Sequence, residues 1–295
     1  MKFGLWSANI GPWAAPAAAL ELAKAGEATG FESIWTAEHS IFPRRYASRY
    51  PYSVDGKAPV PVETPMGDPL IHLAWLAGQT SLFLGTAAVV LPLRNPVLLA
   101  KELASLDYLS GGRIILGVGV GWLEEEFAAC GVPWAGRAQR AEDAIAAMRT
   151  LWSGADVSHH GPHFAFDAVT AYPQPARAGG VPIVIAGSSA AAARRAGRVG
   201  DGWLPMDVAH DHFPARLSEL RTSAEQAGRD VSDIEIYYGI SPMTDEYQRV
   251  MADPGEIRRY ADLGVSRLLL GAPIVEPGAV RTVLEQFAET VMVKV

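Results

Sequence analysis

Short runs of apolar residues alternate along the chain with longer segments in which apolar positions recur at helical spacing. The runs have the length of buried parallel strands, and their alternation with helical segments is typical of βαβ units. Strands are predicted at residues 2–8, 33–37, 82–90, 113–119, 182–187, 202–205, 234–240 and 267–271. Helices are predicted at residues 14–29, 68–80, 96–109, 137–152, 190–199, 209–227, 254–263 and 277–291.

Eight strand-then-helix units in 295 residues fit an α/β fold of the closed (β/α)8 TIM barrel type better than an open sheet. We expect residues 1–295 to form a single domain. Two connections are longer than the bare barrel needs: residues 40–67 after strand 2 and residues 153–180 before strand 5. Loops longer than about 12 to 15 residues are usually functional. We therefore expect the first insertion to cover the mouth of the barrel.

The composition is that of an ordinary globular chain, with 49% hydrophobic residues, 29 Gly and 21 Pro. A net charge of -7 with both signs interspersed argues against a nucleic-acid partner or an anionic membrane. No stretch is long enough to span a bilayer, and the segment MKFGLWSANIG lacks the apolar centre of a signal peptide. A cytoplasmic location is the expectation. The single cysteine, Cys130, cannot form an internal disulfide and is interpreted as a small buried hydrophobe.

Three glycines, Gly117, Gly119 and Gly121, follow one another at every second position as the fourth strand ends. Because glycine lacks Cβ, a planar ligand or a neighbouring backbone can approach the chain closely there. A dinucleotide fingerprint would need glycine at position 122, which is Trp122. The alternative is that small residues only relieve crowding inside the barrel. The acids at 124–126 are interpreted as solvated residues that favour the positive end of the next helix.

Polar residues follow two other predicted strands. Gly187, Ser188 and Ser189 stand where a strand gives way to a helix, so free N–H groups and hydroxyls there form a candidate phosphate site. Simple capping of the helix by serine is the alternative. Glu38 and His39 follow the second strand, and a histidine at the mouth can move a proton near neutral pH. A structural histidine is the alternative.

Three further features are ambiguous. The histidine tracts at 159–163 and 210–212 have neither accompanying cysteines nor a HExxH helix, so no metal site is predicted. Arg94 could bind an anion or form a structural ion pair.

Three segments together resemble the bacterial luciferase-like superfamily, and within it the coenzyme F420-dependent oxidoreductase branch. They are GFESIWTAEH (30–39), LGTAAVVLPLRNPVLLAKELASLDYLSGGRIILGVGVGW (84–122) and AGSSAAAARRAGRVGDGWLP (186–205). The resemblance covers nearly the whole chain. It implies a barrel whose strand ends hold the ring of F420, a deazaflavin, or of FMN. The implied activity is hydride transfer between F420 and a small organic substrate.

The resemblance also implies roles for individual residues. It places a non-proline cis peptide at Ala87–Ala88, behind the ring, and matches His39 to a catalytic histidine. Trp203 would help wall the pocket, and the phosphate would lie at 187–189. The implied cofactor-binding residues are Glu38, Thr86, Ala87, Ala88, Val120, Gly121, Gly187, Ser188, Ser189 and Trp203.

The chain departs from similar sugar-phosphate dehydrogenases at two positions. Asn9 and Trp122 stand near the places where those enzymes carry catalytic acids, which argues against a sugar phosphate as the substrate. Trp122 instead indicates that an apolar or aromatic compound, or the cofactor itself, lies against its face. The first alternative is a monooxygenase that uses FMNH2 and O2, and the second is a non-catalytic F420 or flavin-binding protein. A metal-dependent hydrolase is a more distant one. Similar proteins pair through helices near strands two and three, so a homodimer is expected.

Overall fold

Parallel strands form a closed cylinder around the centre of the molecule. The structure, a computed structural model, describes residues 1–208 and 212–295. Its strands are β1 (Lys2–Trp6), β2 (Ser33–Thr36), β3 (Phe83–Thr86), β4 (Val89–Val90), β5 (Ile114–Gly119), β6 (Val157–His160), β7 (Ala165–Val169), β8 (Ile183–Ala186), β9 (Gly202–Leu204), β10 (Glu235–Ile240) and β11 (Arg267–Gly271). Within the described ranges, eight strand positions follow the order β1, β2, β3, β5, β8, β9, β10 and β11, and β11 pairs with β1. The predicted (β/α)8 TIM barrel is confirmed.

The third barrel strand is interrupted as it reaches the mouth. The sequence pattern predicts one strand at 82–90, but the structure divides it into β3 and β4 around Ala87 and Ala88. The peptide bond between these two residues is cis, as the resemblance implied. The Ala87 N–H donates to the Thr36 carbonyl, and the Ala87 carbonyl accepts the Trp6 indole N–H at 2.8 Å. Two neighbouring strands therefore hold this turn in place.

Helices surround the barrel. They are α1 (Pro16–Ala28), α2 (Pro69–Ala77), α3 (Pro96–Ser110), α4 (Glu124–Ala129), α5 (Arg137–Trp152), α6 (Ala190–Val199), α7 (Phe213–Gln226), α8 (Asp245–Ala252), α9 (Pro254–Asp262) and α10 (Val280–Thr290). The predicted helices at 137–152 and 190–199 are confirmed at both ends. The helix predicted at 209–227 corresponds to α7, and residues 209–211 lie outside the described ranges. No helix in those ranges is long and apolar enough to cross a membrane.

Local sequence signals explain where α3 begins and ends. The Asn95 side chain accepts hydrogen bonds from the backbone N–H groups of Val97 and Leu98, and Pro96 occupies the first helical position. Gly111 follows the helix with a φ of 69°, in the left-handed region that favours glycine. This helix packs against β5 from the outside, next to the interrupted turn.

The interior of the barrel is filled around Trp35. This side chain is fully buried, and its indole N–H donates to the Ser33 hydroxyl at 2.8 Å. A Cβ on Gly85 would lie 2.2 Å from the Trp35 ring, and one on Gly4 would lie 2.7 Å from it, so both glycines make room for the indole. The other buried residues of this cluster are Ala87, Ile115, Val184, Leu204, Tyr237 and Leu269. The mouth is therefore built on top of a packed plug.

The second insertion, at 153–180, contains an antiparallel hairpin of β6 and β7 that the sequence pattern does not predict. Its strands are short and partly exposed, so they lack the apolar runs of the barrel strands. Buried Asp143 of α5 fastens the hairpin: its carboxylate accepts from the N–H groups of His163 and Phe164 and pairs with His159 at 2.9 Å. One histidine of the tract at 159–163 therefore has a structural partner.

The interpretation of Cys130 as a buried hydrophobe was wrong. The residue follows α4 directly, and its thiol is exposed. The buried face of α4 instead carries Glu126 and Phe127.

The three glycines near the end of β5 are glycines for different reasons. A Cβ on Gly117 would lie 1.9 Å from the Thr86 carbonyl oxygen, so the close approach of β3 requires glycine. At Gly121 a Cβ would meet Phe127 at 2.6 Å, and the φ is 77°. At Gly119 the nearest atom would be the Ala88 Cβ at 3.8 Å, an ordinary contact. Relief of crowding explains Gly117 and Gly121, while no neighbour among the described residues explains Gly119.

We expect Gly117→Ala to destabilise the fold by about 3 kcal/mol or more, because the added methyl overlaps a backbone carbonyl that cannot rotate away. Gly119→Ala, two residues along the same strand, should change the free energy of unfolding by less than about 1 kcal/mol. Urea titration followed by circular dichroism measures both. Similar midpoints for the two variants would contradict the distinction.

Candidate active site

A cavity of ≈ 1280 Å³ opens at the carboxyl ends of the barrel strands. Residues 40–67, which we call the lid loop, contribute several of its walls, among them Phe42, Tyr50, Tyr52 and Met66. Most of the residues predicted to bind the cofactor line this one cavity, together with His39: Glu38, Ala87, Ala88, Val120, Gly121, Gly187, Ser188 and Ser189. The structure therefore brings these predicted residues together around one cavity.

Two predicted residues do not line the cavity. Thr86 is fully buried, and its hydroxyl donates to the Gly117 carbonyl at 2.8 Å, which ties β3 to β5. Trp203 is also fully buried: its indole N–H donates to the Gly187 carbonyl at 2.9 Å, and its ring stacks on Phe213. Trp203 therefore supports the turn at Gly187 from behind and does not wall the pocket.

One side of the cavity is nearly free of side chains. Ala87, Ala88 and Gly119 all line it, and we call these three residues the floor. Ala87 is fixed by its hydrogen bonds to strands β1 and β2, and Ala88 lies beside Gly119. A flat aromatic group can therefore lie against peptide groups here.

His39 stands at the wall of the cavity between two partners. Its Nδ1 atom is 2.9 Å from Oε2 of Glu126, and its Nε2 atom is 3.2 Å from the indole nitrogen of Trp122. Glu126 is only 1% exposed, whereas Trp122 and His39 both line the cavity. The histidine is thus held from both sides at a position from which it can exchange a proton with a bound molecule.

The interpretation of the acids at 124–126 as solvated residues was wrong for two of them. Glu126 is buried, and Glu125 binds the lid loop through the N–H groups of Ala47 and Ser48 and the Ser48 hydroxyl. A sequence signal for Glu126 does exist: Leu123, Glu126 and Phe127 are spaced to share the buried face of α4.

The contact with the lid loop lowers the pKa of the Glu125 carboxyl. Partial burial raises the pKa of its carboxyl, but hydrogen bonds from the Ser48 hydroxyl and from the Ala47 and Ser48 N–H groups outweigh this and bring the pKa to about 2. Its folded pKa lies below the ordinary value of 4.5, so the contact stabilises the fold fully above pH 4.5 and is lost as the pH falls toward 2. The lid loop is attached to α4 at neutral pH.

Glu38 lines the cavity, but its carboxylate is already engaged. It accepts from the Val90 N–H at 2.5 Å and from both Nε and Nη2 of Arg94, which also pairs with Asp68 at 2.8 Å. Burial raises the pKa of Glu38, and the Arg94 guanidinium opposes that rise. Of the two interpretations of Arg94, the ion pair is therefore the one observed. Glu38 fixes the chain that leaves the floor.

The turn at 187–189 combines capping with exposed polar groups. The Ser189 hydroxyl accepts from the Ala192 N–H at 3.2 Å, which is the capping interpretation, and the Ser188 hydroxyl donates to the Met206 carbonyl at 2.6 Å. Tyr52 of the lid loop lies against Ser188: burial raises the pKa of its phenol, and hydrogen bonding to Ser188 opposes the rise only in part.

Two arginines that the sequence analysis missed line the same end of the cavity. Arg195 lies in α6, whose first residues follow the turn at 187–189, and this placement was the available sequence signal. Its Nε atom donates to Glu142 at 3.0 Å. Arg137 begins α5, stacks on Trp134, and has a buried Nε atom with no hydrogen-bond partner among the described residues. An anion at this end would meet two guanidinium groups.

Two further polar residues near the mouth differ in role. Asn9 is fully buried; its amide donates to the carbonyls of Ala37 and Gly67, so it pins the strand ends and does not line the cavity. Asp207 lines the cavity after β9 and accepts from the Ser241 N–H at 3.3 Å. Burial raises the pKa of its carboxyl.

Within residues 1–208 and 212–295, no group of three or more His, Cys, Asp or Glu side chains is placed to hold a metal ion. In the tract at 159–163, His160 forms an exposed pair with Asp167. The tract at 210–212 falls largely outside the described residues, since 210 and 211 are not described.

Comparisons of the sequence with known proteins identify a family and several relatives. A family model described as luciferase-like monooxygenase matches residues 1–265. An uncharacterized protein of Mycobacterium tuberculosis is 31% identical over 277 residues, covering 92% of each chain. An F420-dependent glucose-6-phosphate dehydrogenase of Kineococcus radiotolerans is 30% identical and covers 84% of this chain and 76% of its own.

Solved structures show the same fold. An F420-dependent secondary alcohol dehydrogenase, solved with an F420-acetone adduct, superposes with a TM-score of 0.77 at 20% identity, covering 99% of this chain and 98% of its own. The matching family model, the relatives and the barrel lead to one conclusion. The chain belongs to the luciferase-like family, in the branch that includes F420-dependent oxidoreductases.

Proposed function

We propose that this protein is an oxidoreductase that transfers a hydride between coenzyme F420 and a small organic substrate. The observation that carries the proposal is the floor of Ala87, Ala88 and Gly119 beside His39 in a cavity of ≈ 1280 Å³. This arrangement suits a flat redox ring with a proton-exchanging group at its edge. The relative from Kineococcus radiotolerans, named as F420-dependent, supports the choice of the deazaflavin.

The residues at both ends of the cavity fit such a cofactor. The floor would take the ring, because Gly119 carries no Cβ and the ring can approach its backbone closely. The turn at 187–189 would take the phosphate, assisted by Arg195 and by Arg137, whose buried Nε has no hydrogen-bond partner within residues 1–208 and 212–295. Tyr52 rests against Ser188 and would have to yield to the phosphate. When bound, the deazaflavin would supply the hydride donor or acceptor.

The other groups of the cavity would bind the substrate and exclude water. His39 would exchange the proton that accompanies hydride transfer, and the lid loop would close the site over it. Trp122 offers its ring beside His39 at a centroid distance of 5.5 Å. The protein therefore contributes orientation, a dry cavity and a proton path.

We further propose an apolar or aromatic substrate, not a sugar phosphate. Trp122 and the buried Asn9 stand near the positions where similar sugar-phosphate dehydrogenases carry catalytic acids. The Asn9 amide already donates hydrogen bonds to two backbone carbonyls. The walls contributed after β10 and β11 are mostly apolar: Pro242, Met243, Ala272, Pro273, Ile274 and Val275. Asp207 also lines the cavity and would favour a hydrogen-bond donor on the substrate.

The second candidate is a monooxygenase that uses FMNH2 and O2, which the description of the matching family model favours. FMN also has a flat ring and a phosphate, so the same floor and the same turn would serve it. A cofactor-binding protein without turnover is the third candidate.

Titration calorimetry with F420 and with FMN, followed by turnover assays with and without oxygen, tests the proposal. We expect F420 to bind and turnover to proceed without oxygen consumption. His39→Ala should retain cofactor affinity and lose roughly 100-fold or more in kcat. His160→Ala, which changes an exposed histidine of the hairpin, is the matched control and should behave as the unaltered protein.

Oxygen consumption with FMNH2, in a protein that ignores F420, would establish the monooxygenase instead. Tight binding of F420 without turnover across alcohols, ketones, aldehydes and activated alkenes would favour the binding protein.

Gly119→Ala probes the floor directly. The variant should fold normally, because its methyl meets only Ala88 at 3.8 Å. We expect the Kd for the cofactor to rise roughly 10-fold, since the methyl separates the ring from the backbone and such overlap costs about 1 to 3 kcal/mol. Calorimetry gives the Kd, and unchanged affinity would mean that the ring lies elsewhere.

We also propose that the protein forms a homodimer through α2 and α3. These helices expose large apolar side chains: Ile71, Trp75, Val97, Leu98, Tyr108 and Leu109. On α3 they recur on one helical face. An exposed patch of this kind is typical of a protein interface, and a twofold pair would cover it on both subunits.

Sedimentation velocity tests the dimer. Leu98→Glu should shift the protein to monomers and raise the dimer Kd by about 100-fold or more, because each substitution occurs twice in a symmetric interface. Val293→Glu, an equally exposed apolar position outside α2 and α3, is the control and should leave the dimer intact. A monomeric unaltered protein would refute the proposal.

A further inference from the structure

The two ring nitrogens of His39 face partners of fixed chemical character. An indole nitrogen can only donate a hydrogen bond, so the contact of Trp122 with Nε2 requires a lone pair on Nε2. An ionised carboxylate can only accept, so the contact of Glu126 with Nδ1 requires a proton on Nδ1. Both contacts are satisfied together by one neutral form of the ring, the Nδ1–H tautomer.

Glu126 is itself held so that it cannot turn away. Its Oε2 atom accepts from His39, while Oε1 accepts from the Ser40 N–H at 2.6 Å and from the Ile41 N–H at 3.4 Å. The side chain is buried, so any rotation would leave donors unpaired away from water. Both oxygens of this carboxylate are therefore acceptors in fixed directions.

We propose that Glu126 is a positioning residue that fixes His39 as the Nδ1–H tautomer and thereby makes Nε2 the proton-accepting atom. The catalytic meaning of this assignment rests on the proposed function, but the tautomer does not. When a substrate gives up a proton, the O–H or N–H bond breaks with its electron pair left on the substrate, and a new N–H bond forms at Nε2. The resulting imidazolium lies against the Glu126 carboxylate, which stabilises its charge.

Trp122 is the second hydrogen-bond partner of His39. The single lone pair of Nε2 accepts the indole N–H at 3.2 Å, so the indole has to move away before Nε2 can take a proton from a substrate. The rings of Phe42, Tyr46 and Tyr50 surround Trp122 at centroid distances of 6.2, 5.7 and 5.2 Å. A shift of the indole on proton transfer therefore reaches the lid loop directly.

Glutamine at position 126 cannot replace the carboxylate. The amide has one acceptor oxygen, whereas both oxygens of Glu126 accept hydrogen bonds. The fixed N–H groups of Ser40 and Ile41 hold the amide oxygen on their side, so the NH2 group faces His39 and requires a lone pair on Nδ1. Glu125→Gln is the matched control, because Glu125 is the adjacent acid of the same helix and holds Ala47 and Ser48 without contacting His39.

The experiment is 15N-histidine NMR on the full-length unliganded protein at about pH 8, where histidines are mostly neutral. We expect His39, assigned by loss of its signals in His39→Ala, to show a pyrrole-type Nδ1 and a pyridine-type Nε2. Histidine in water favours the opposite tautomer, so this pattern is diagnostic. Glu126→Gln should lose it, while Glu125→Gln and Trp122→Phe should keep it.

Kinetics supply the second readout. Glu126→Gln should lower kcat roughly 10- to 100-fold with KM changed less than about threefold, while His160→Ala, at an exposed histidine of the hairpin, should keep the unaltered kcat. An Nε2–H tautomer in the unaltered protein overturns the proposal even if Glu126→Gln does not fold. So does a Glu126→Gln protein that keeps the Nδ1–H pattern. An Nδ1–H pattern that depends on Glu126, in a protein that turns over no substrate, supports the positioning role and overturns the proposed function alone.

Discussion

The close approach of β3 to β5 at the mouth of the barrel is the constraint on which the candidate site depends. The Thr86 carbonyl lies so near Gly117 that no other residue fits there, and the Thr86 hydroxyl ties the two strands together. The chain then turns through Ala87 and Ala88, braced by Trp6 and by the carbonyl of Thr36. The Trp35 plug beneath leaves this turn no room to sink into the barrel. A bare stretch of peptide is thereby presented to the cavity as a rigid surface.

Two buried carboxylates near this surface each bind a backbone N–H group and a side chain. Glu38 binds the Val90 N–H as well as Arg94, and Glu126 binds the Ser40 N–H as well as His39. In each case one oxygen fixes the path of the chain and the other fixes a side chain. Buried carboxylates are costly unless they are hydrogen-bonded, and in these two both oxygens find donors.

The periodic signals in the sequence predict the barrel, its strand order and most of its helices, because each depends on local spacing and on caps such as Asn95. The residues of the cavity are also largely predictable from their positions at strand ends. The partners of those residues are not, because they arise from contacts across the fold. Glu126 meets His39 from 87 positions away, and Trp203 turns inward because a carbonyl at Gly187 takes its N–H. Arg137 and Arg195 line the cavity together, although they belong to different helices, α5 and α6.

The contacts between α4 and the lid loop place few constraints on the sequence of the loop. Glu125 and Glu126 recognise the loop almost entirely through main-chain N–H groups, at positions 40, 41, 47 and 48. Main-chain donors are the same whatever amino acid occupies a position, proline excepted. The side chains of the lid loop can therefore change while its attachment to α4 persists. Related proteins could acquire a new substrate specificity by substitutions in this wall of the cavity, without changing the residues that hold the loop.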